Sequence, residues 1–300
     1  MSSVARPDRW RDRLMGWWLR VAASGLVPAR WVEPGLPPVD RRAACTGRLT
    51  LEIVSHCWNY AHLQAYQLSS LVRWPPTAAN VVMTVFYCPE DERTVELLAF
   101  FGAQQVPGVR WNWQPLPREQ LFRRAIGRNR AALATSADWI WFTDCDVMFR
   151  DGCLDGLAHA LQGRRDALVH PKAERISPML ADDDPALQAA APRLVDIDGE
   201  RFVANPLHKA TGPMQIAHGD VARACGYCAR IAYYQRPADR WRKTYEDPAF
   251  RWLLRSDGVG LDMPPPYRIR HVSKGRYTGS RWTTRLRSWI RRVRSGAVRG

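Results

Sequence analysis

Four apolar segments alternate with helical patterns over the first half of the chain, and this alternation constrains the fold more than any other feature. The strand-like segments are LTLEIVS (49–55), NVVMTVFY (80–87), the stretch 109–113 and the apolar run that begins at Asp138. Amphipathic helical patterns fill the intervals between them. Strands joined by helices run parallel, with right-handed crossovers. The sequence therefore predicts a Rossmann-like α/β fold, in which a mostly parallel sheet is flanked by helices.

Beyond residue 150 the alternation continues with less regularity. We expect a helix in 153–161, a strand in 166–171, a strand turning into a helix in 211–227, a helix in 245–255 and a closing strand from 267. Residues 172–199 are polar and acidic and contain Pro. We predict a mobile loop there, with Asp182, Asp183 and Asp184 solvated rather than gathered around a metal.

The net charge of +15 belongs to the two ends of the chain. Residues 264–300 hold eleven Lys or Arg and no acid, and residues 1–48 hold nine Arg against four acids, which leaves residues 49–263 at −1. A nearly neutral centre gives no reason to expect a polyanion partner. Because no nucleic-acid-binding motif accompanies the arginines, we predict that the protein does not bind nucleic acid.

Both basic ends carry helical apolar patterns. In the C-terminal end the apolar positions Trp282, Leu286, Trp289, Ile290 and Val293 form one helix face. The N-terminal RWRDRLMGWWLRV (9–21) is similar but less regular. This composition is typical of helices that lie on an anionic membrane, although solvated helices that dock on the core would show it equally.

The expected compartment is the cytoplasm, with peripheral association at the inner membrane face. The sequence contains no apolar run of the ~20 residues that a membrane span needs, and no secretory signal. Seven cysteines in irregular spacing indicate reduced thiols. Cys225 and Cys228 form a lone CxxC, for which a metal or redox role is the less favoured interpretation.

Two carboxylates, Asp144 and Asp146, follow directly on the buried strand WIWF. In an open α/β sheet, ligands bind beyond the carboxyl ends of the strands. Side chains at i and i+2 point to opposite faces of a strand, so both can hold one metal only if the backbone turns between them. Mg²⁺ and Mn²⁺ prefer oxygen ligands and are often held by one or two carboxylates together with substrate phosphates. The pair therefore suits a metal-bound nucleoside diphosphate.

The surroundings of these acids resemble the GT-A glycosyltransferases, particularly the family-2-like inverting enzymes. The resemblance is carried by IVSHCWNYAHLQAYQLSSL (53–71), FRRAIGRNRAALATSADWIWFTDCDVMF (122–149), GPMQIAHGDVARACGY (212–227), YEDPAF (245–250) and HVSKG (271–275). It implies a GT-A fold and a metal-dependent transfer of a sugar from a nucleoside-diphosphate sugar to an acceptor hydroxyl, with inversion. If the ends bind lipid, the acceptor would be lipid-linked or part of an envelope polysaccharide.

The resemblance also implies domains. These are a basic segment (1–48), a catalytic domain (49–276) with a nucleotide-sugar half (49–171) and an acceptor half (200–276), and a basic C-terminal helix (277–300).

The roles implied for single residues follow the same motifs. Asp146 would ligate Mn²⁺ or Mg²⁺, Asp144 would hold the ribose or a metal-bound water, and His271 would reach the metal or the diphosphate. Asp247, next to Glu246, would be the general base for the acceptor hydroxyl. The remaining nucleotide-sugar contacts would come from Ser55, Glu90 or Asp91, Arg124, Arg128 and Asn129. Here YCPEDERT (87–94) stands where the family has Asp-Asp-Gly-Ser.

Each of these interpretations has an alternative. Arg124 and Arg128 would also fit a solvated helix face, and Glu246 and Asp247 would also fit simple caps ahead of Pro248. Two other functions remain open: a haloacid-dehalogenase-like phosphatase that uses the same two acids, or a non-catalytic scaffold that binds membrane through its basic ends. Cys145, between the two acids, would make an enzyme sensitive to oxidation.

Overall fold

The computed structural model describes residues 9–181, 183–188, 192–241 and 244–272. The predicted C-terminal helix, with Trp282 to Val293, lies outside the described residues. Seven strands form the main sheet: β1 (Leu49–Cys57), β2 (Ala79–Tyr87), β3 (Val109–Pro115), β4 (Trp139–Phe142), β6 (Leu168–Pro171), β9 (Gln215–His218) and β10 (Val259–Leu261). Their order is β10-β6-β9-β4-β1-β2-β3. Only β9 runs antiparallel to its neighbours, so the predicted mostly parallel sheet is confirmed.

The sheet is buried on both faces, because successive side chains of each strand enter different cores. In β4, Trp139 and Trp141 pack into one hydrophobic cluster, whereas Ile140 and Phe142 pack into the other. This is the period-2 consequence of strand geometry. It explains why the strand is apolar at every position, as parallel strands covered on both sides are.

Eight α-helices accompany the strands in the described residues. They are α1 (Arg9–Val21), α2 (Ala61–Arg73), α3 (Glu92–Gly102), α4 (Arg118–Leu121), α5 (Arg124–Ala134), α6 (Cys153–Ala160), α7 (Gly219–Cys225) and α8 (Glu246–Leu253). A π-helical turn, Ala22–Leu26, extends α1, and short 3₁₀ turns span Ala29–Trp31, Val39–Arg41, Pro185–Leu187, Gly199–Arg201 and Ala232–Gln235. The three predicted strand–helix repeats that lead to β4 are confirmed.

One predicted helix is split in two. The helical pattern predicted between β3 and β4 forms both α4 and α5, because Arg123 between them has non-helical φ and ψ angles of −112° and 83°. This break makes Arg124 the first residue of α5. Arg124 and Arg128 therefore lie one helical turn apart at the end of α5 that is nearest the carboxyl end of β4.

A second, smaller sheet crosses the region beyond β4. It contains β5 (Val147–Met148), β7 (Ala173–Ile176), β8 (Val203–Pro206) and β11 (Tyr267–Arg268), in the order β5-β11-β7-β8. The prediction of a loop throughout 172–199 is therefore wrong for β7, whose Glu174 side chain accepts two hydrogen bonds from Arg268. Arg268 lies 94 residues after Glu174 in the sequence, so no local pattern predicts this pairing.

The predicted N-terminal amphipathic helix is confirmed as α1. Its Leu19 and the following Ala22 are buried, at 1% and 0% exposure. Trp252 of α8 donates from its indole nitrogen to the Val27 carbonyl, which holds the segment after α1 against α8. Within the described part of the chain, every helix is too short or too polar to cross a bilayer.

Candidate active site

The two acids lie on a tight turn at the end of β4, as the metal interpretation requires. The Val147 amide donates to the Asp144 carbonyl, 3.3 Å away, so the chain reverses between Asp144 and Asp146. Gln67, fully buried in α2, holds this turn from the core. Its Nε2 donates to the carbonyls of Asp144 and Val147, at 2.9 Å each. Because the backbone turns here, the two carboxylates need not point to opposite faces as they would on a regular strand.

The closing strand β11 supports the turn from the other side. The Ile269 amide donates to the Asp146 carbonyl at 2.8 Å. His271 is bridged to Leu180 through the backbone, and its ring packs edge-on against Tyr60 with 5.4 Å between ring centroids. The Asp144 side chain is 24% exposed, whereas Asp146 and His271 are each only 3% exposed.

The predicted three-residue metal set is not preassembled. No group of three His, Cys, Asp or Glu side chains among the described residues is arranged to hold a metal ion. The donor chemistry still fits a hard divalent cation, because two carboxylates on one turn suffice when substrate phosphates and water supply the other ligands. Asp144 and Asp146 would hold it.

Arg124 links the turn to the start of α8. Its Nη1 donates to Asp144 Oδ1 at 2.5 Å, while its Nη2 lies 3.4 Å from Glu246 Oε1 and 3.8 Å from Asp247 Oδ2. The Arg124 side chain remains 25% exposed. A partly exposed guanidinium at the mouth of the sheet can still offer donors to phosphate oxygens, so its predicted role is compatible with its position.

Arg128 also links the turn to the start of α8, but its side chain is completely buried. It donates from Nη1 to Asp247 Oδ1 and to the Tyr227 hydroxyl, each at 2.8 Å. Its Nη2 donates to the carbonyls of Thr143 and Gly212 at 3.3 Å and to Asp144 Oδ1 at 3.4 Å. Burial and these five internal acceptors favour a role for Arg128 in holding Asp144 and Asp247 over the predicted contact with the phosphates or base.

Asp247 is held through one of its two carboxylate oxygens. Oδ1 accepts from Arg128 and lies 3.0 Å from the Tyr227 hydroxyl, which is also 2.8 Å from Gln215 Oε1. Oδ2 lies against Gly212, where an added Cβ would come within 2.5 Å. The side chain is 21% exposed. The Asp247 carboxylate is thus oriented by Arg128 and Tyr227 and remains partly exposed.

Glu246 is more deeply placed than Asp247. Its side chain is 2% exposed, and Oε2 is buried with no hydrogen-bond partner among the described residues. Burial raises the pKa of the Glu246 carboxyl, and Arg124 opposes that rise. Because the Glu246 and Asp247 side chains pair with arginines of α5, they are more than helix caps.

Four predicted nucleotide contacts take other positions. Ser55 is fully buried on β1, where its hydroxyl donates to Gln64. Asp91 caps α3 and accepts from the Asn59 amide and the Thr94 hydroxyl. Asn129 accepts from the Tyr227 amide. Each of these three polar side chains makes hydrogen bonds within the fold, and their nucleotide contacts stay predictions. Glu90 is 62% exposed and pairs with Arg118.

The cysteines singled out in the sequence are buried in the structure. Cys225 and Cys228 are free thiols with 5% and 1% exposure, and burial raises the pKa of both. A redox or metal pair requires thiolate character, which a raised pKa disfavours. Cys145 between the two acids is 8% exposed.

Sequence reasoning missed three residues of this site: Gln67, Gln215 and Tyr227. All three are fully buried polar side chains. Tyr227 had one available signal, since it closes the GPMQIAHGDVARACGY motif beside a glycine. Gln67 and Gln215 had none, because a glutamine in an amphipathic helix or a short strand carries no local sign of burial.

The chain is similar to known glycosyltransferases in sequence and in structure. The model for "Glycosyl transferase family 2" matches residues 92–247, more than half of the chain. No curated protein sequence matches. Among solved structures, the mannosyltransferase PcManGT from Pyrobaculum calidifontis, in complex with GDP-Man and Mn²⁺, is similar at 14% identity and a TM-score of 0.45, over 94% of this chain and 76% of that chain.

S. aureus TarS (1–349) is similar at 12% identity and the same TM-score, over 74% of this chain and 60% of the TarS chain. The family match covers α3 to the start of α8, which includes the acidic turn and both arginines. It decides against a phosphatase and against a non-catalytic scaffold. The chain therefore belongs to glycosyl transferase family 2 and is a glycosyltransferase of GT-A fold.

Proposed function

We propose that the protein transfers a sugar from a nucleoside-diphosphate sugar to an acceptor hydroxyl, by a single inverting displacement that depends on Mn²⁺ or Mg²⁺. The observation that carries the proposal is the double link made by α5. Arg124 and Arg128 both contact Asp144 of the donor-side turn and an acid at the start of α8. These contacts support a site in which the donor and the acceptor would bind next to each other.

On the donor side, Asp144 and Asp146 would hold the metal and the partly exposed Arg124 would contact the diphosphate. When bound, the metal neutralises negative charge on the departing nucleoside diphosphate. His271 would reach the metal or diphosphate only once the donor is bound.

On the acceptor side, Asp247 would be the general base. Its Oδ1 is fixed by Arg128 and Tyr227, which leaves Oδ2 to accept the proton of the attacking hydroxyl. Burial keeps the pKa of the Tyr227 hydroxyl well above its usual value, so Tyr227 stays protonated and can donate. Glu246 would hold Arg124 in place rather than meet the acceptor, since it is nearly inaccessible.

The acceptor class that this site supports is a carbohydrate or lipid-linked hydroxyl. An alcohol is a poor nucleophile at neutral pH and needs a positioned base at the moment of attack. A carboxylate with one anchored and one open oxygen meets that requirement.

The test is isothermal titration of the purified protein with UDP, GDP and CDP, with and without Mn²⁺. We expect metal-dependent binding of one diphosphate that is lost in Asp146→Ala. Asp262→Ala is the matched control, because its side chain is 92% exposed and, among the described residues, pairs only with Lys172 at the surface. A folded protein that binds none of the three diphosphates would refute the proposed donor site.

A further inference from the structure

We propose that the exposed apolar face of α1 docks the protein on an anionic phospholipid surface. Trp10, Leu14 and Trp17 follow each other at i, i+4 and i+7 and therefore share one helix face. Their exposed fractions are 60%, 56% and 63%. The opposite side, with Leu19, is packed into the core. A helix with one face anchored on its own domain and two tryptophans and a leucine on the other is suited to the interfacial layer of a bilayer.

A groove beside this face has the charge that such a surface requires. It encloses about 680 Å³ between α1 and residues 230–236, and Leu14, Met15 and Trp18 line one side. Arg230 and Arg236 are the charged residues of its lining, and the described lining contains no acid. Arg230 pairs with the buried Glu33 but remains 51% exposed. Lipid phosphates would meet Arg236 and the outer part of Arg230, and acyl chains would meet the apolar wall.

Charge favours lipid over a second copy of the chain. Residues 1–48 carry nine Arg against four acids, and the whole chain carries +15. Two copies facing each other through this end would repel, whereas an anionic leaflet attracts basic residues near its surface. Tryptophan is the residue enriched at the headgroup level of membranes.

The docking face lies beside the acceptor end of the site. The Arg20 guanidinium of α1 stacks over the ring of Tyr245, 3.9 Å from its centroid. Tyr245 immediately precedes Glu246 and Asp247. A membrane bound at α1 would therefore lie next to the helix that carries the general base. On the proposed function, on which this step rests, the acceptor is a lipid-linked hydroxyl presented from that membrane.

The experiment is co-sedimentation of the full-length protein with vesicles of phosphatidylcholine alone and of phosphatidylcholine mixed with phosphatidylglycerol. We expect binding to the anionic vesicles only, weakening as salt is raised. The double variant Leu14→Ser/Trp17→Ser should lower the affinity at least about tenfold, because two large apolar side chains no longer enter the interface. Arg236→Glu should weaken binding in the same direction.

The matched control is Leu133→Ser/Val203→Ser, which removes two apolar side chains of similar exposure, 50% and 61%, from other elements. It should bind vesicles as the unmodified protein does. Thermal unfolding of each variant verifies that the fold is retained. Equal vesicle binding by both double variants, or no vesicle binding at all, would overturn the proposal. So would a dimer in sedimentation velocity that Leu14→Ser/Trp17→Ser converts to a monomer.

Failure of this proposal can be distinguished from failure of the proposed function. Vesicle binding requires neither donor nor metal, and titration with nucleoside diphosphates requires no lipid. A protein that binds a diphosphate but no vesicle would keep its donor site and lose the membrane inference.

Discussion

The Tyr227 hydroxyl lies 3.0 Å from Asp247 Oδ1 and 2.8 Å from the buried Arg128 guanidinium, so an uncharged side chain helps to position the proposed base. Gln215 binds the same hydroxyl and donates to the Asp247 carbonyl at 3.1 Å. The Asp247 residue is therefore fixed through its main chain as well as through one carboxylate oxygen. Its other oxygen, Oδ2, lies 3.8 Å from Arg124 Nη2 and gains a defined direction, which a base on a solvated helix end would lack.

Tyr227→Phe should lower kcat about tenfold with little change in donor affinity, because a general base contributes about 10²–10⁴-fold and Tyr227 supplies only part of its orientation. Steady-state kinetics with separate donor titration measures both quantities. Tyr267→Phe is the control, since it loses a comparable hydrogen bond, to Asp151 at 2.9 Å, outside the base. Equal kcat values for the two variants would contradict the positioning role.

Arg128→Met should destabilise the fold and abolish transfer. It leaves the Asp144 and Asp247 carboxylates without their shared buried partner, and breaking a buried ion pair costs about 3–5 kcal/mol. Urea unfolding measures the loss. Arg130→Met, on the exposed side of the same helix, should change the free energy of unfolding by less than about 0.5 kcal/mol. A similar small change in Arg128→Met would show that the network is not structural.

Gly212→Ala should reduce transfer activity by up to about 100-fold, because a misplacement of about 1 Å in a catalytic group can cost that much. The new Cβ would lie 2.5 Å from Asp247 Oδ2, closer than side chains tolerate, and would push the carboxylate aside. Gly199→Ala is the matched control, since its Cβ would make only an ordinary contact, 3.5 Å from Arg150. Full activity in Gly212→Ala would exclude Oδ2 as the proton acceptor.

Acid should destabilise the protein through His56. Its ring stacks on Phe86 with 5.1 Å between centroids, and burial, reinforced by Arg128 and Arg124, lowers its pKa well below the usual value. The pKa of a histidine side chain in an unfolded chain is about 6.5. Below that pH the unfolded chain binds a proton that the folded chain does not, so the free energy of unfolding falls as the pH falls.

The expected slope is up to about 1.4 kcal/mol per pH unit from His56 until the folded-state pKa is reached. Urea unfolding at about pH 7 and about pH 5 measures it. Replacing His56 by Leu should flatten this dependence. A wild-type stability that is the same at both pH values would disprove the assignment.

Those parts of the fold that depend on short-range sequence patterns could be predicted from the sequence. The strand Trp139–Phe142 and the acids after it follow from local apolarity and from the need to end a buried strand at a polar edge. The position of Asp91 also has a local explanation, since an Asp immediately before a helix commonly caps it, as Asp91 caps α3.

The role of Arg128 could not be predicted in this way. Arg124 and Arg128 are equivalent by spacing, and only the distant partners Tyr227 and Asp247, 99 and 119 residues along the chain, distinguish the buried one from the exposed one. Gln67 is similar, because its acceptors lie 77 and 80 residues away. Such contacts depend on the assembled tertiary structure.

The burial of Arg128 constrains the construction of chimaeras that exchange donor and acceptor preferences between related enzymes. A chimaera joined between β6 and β9 would take Arg128 from one parent and Tyr227, Gly212 and Asp247 from the other. An imperfect match would leave a guanidinium unneutralised in the interior, at a cost of several kcal/mol. These four residues depend on one another, so a successful graft must transfer them together, even though Arg128 lies 84, 99 and 119 residues from Gly212, Tyr227 and Asp247 in the sequence.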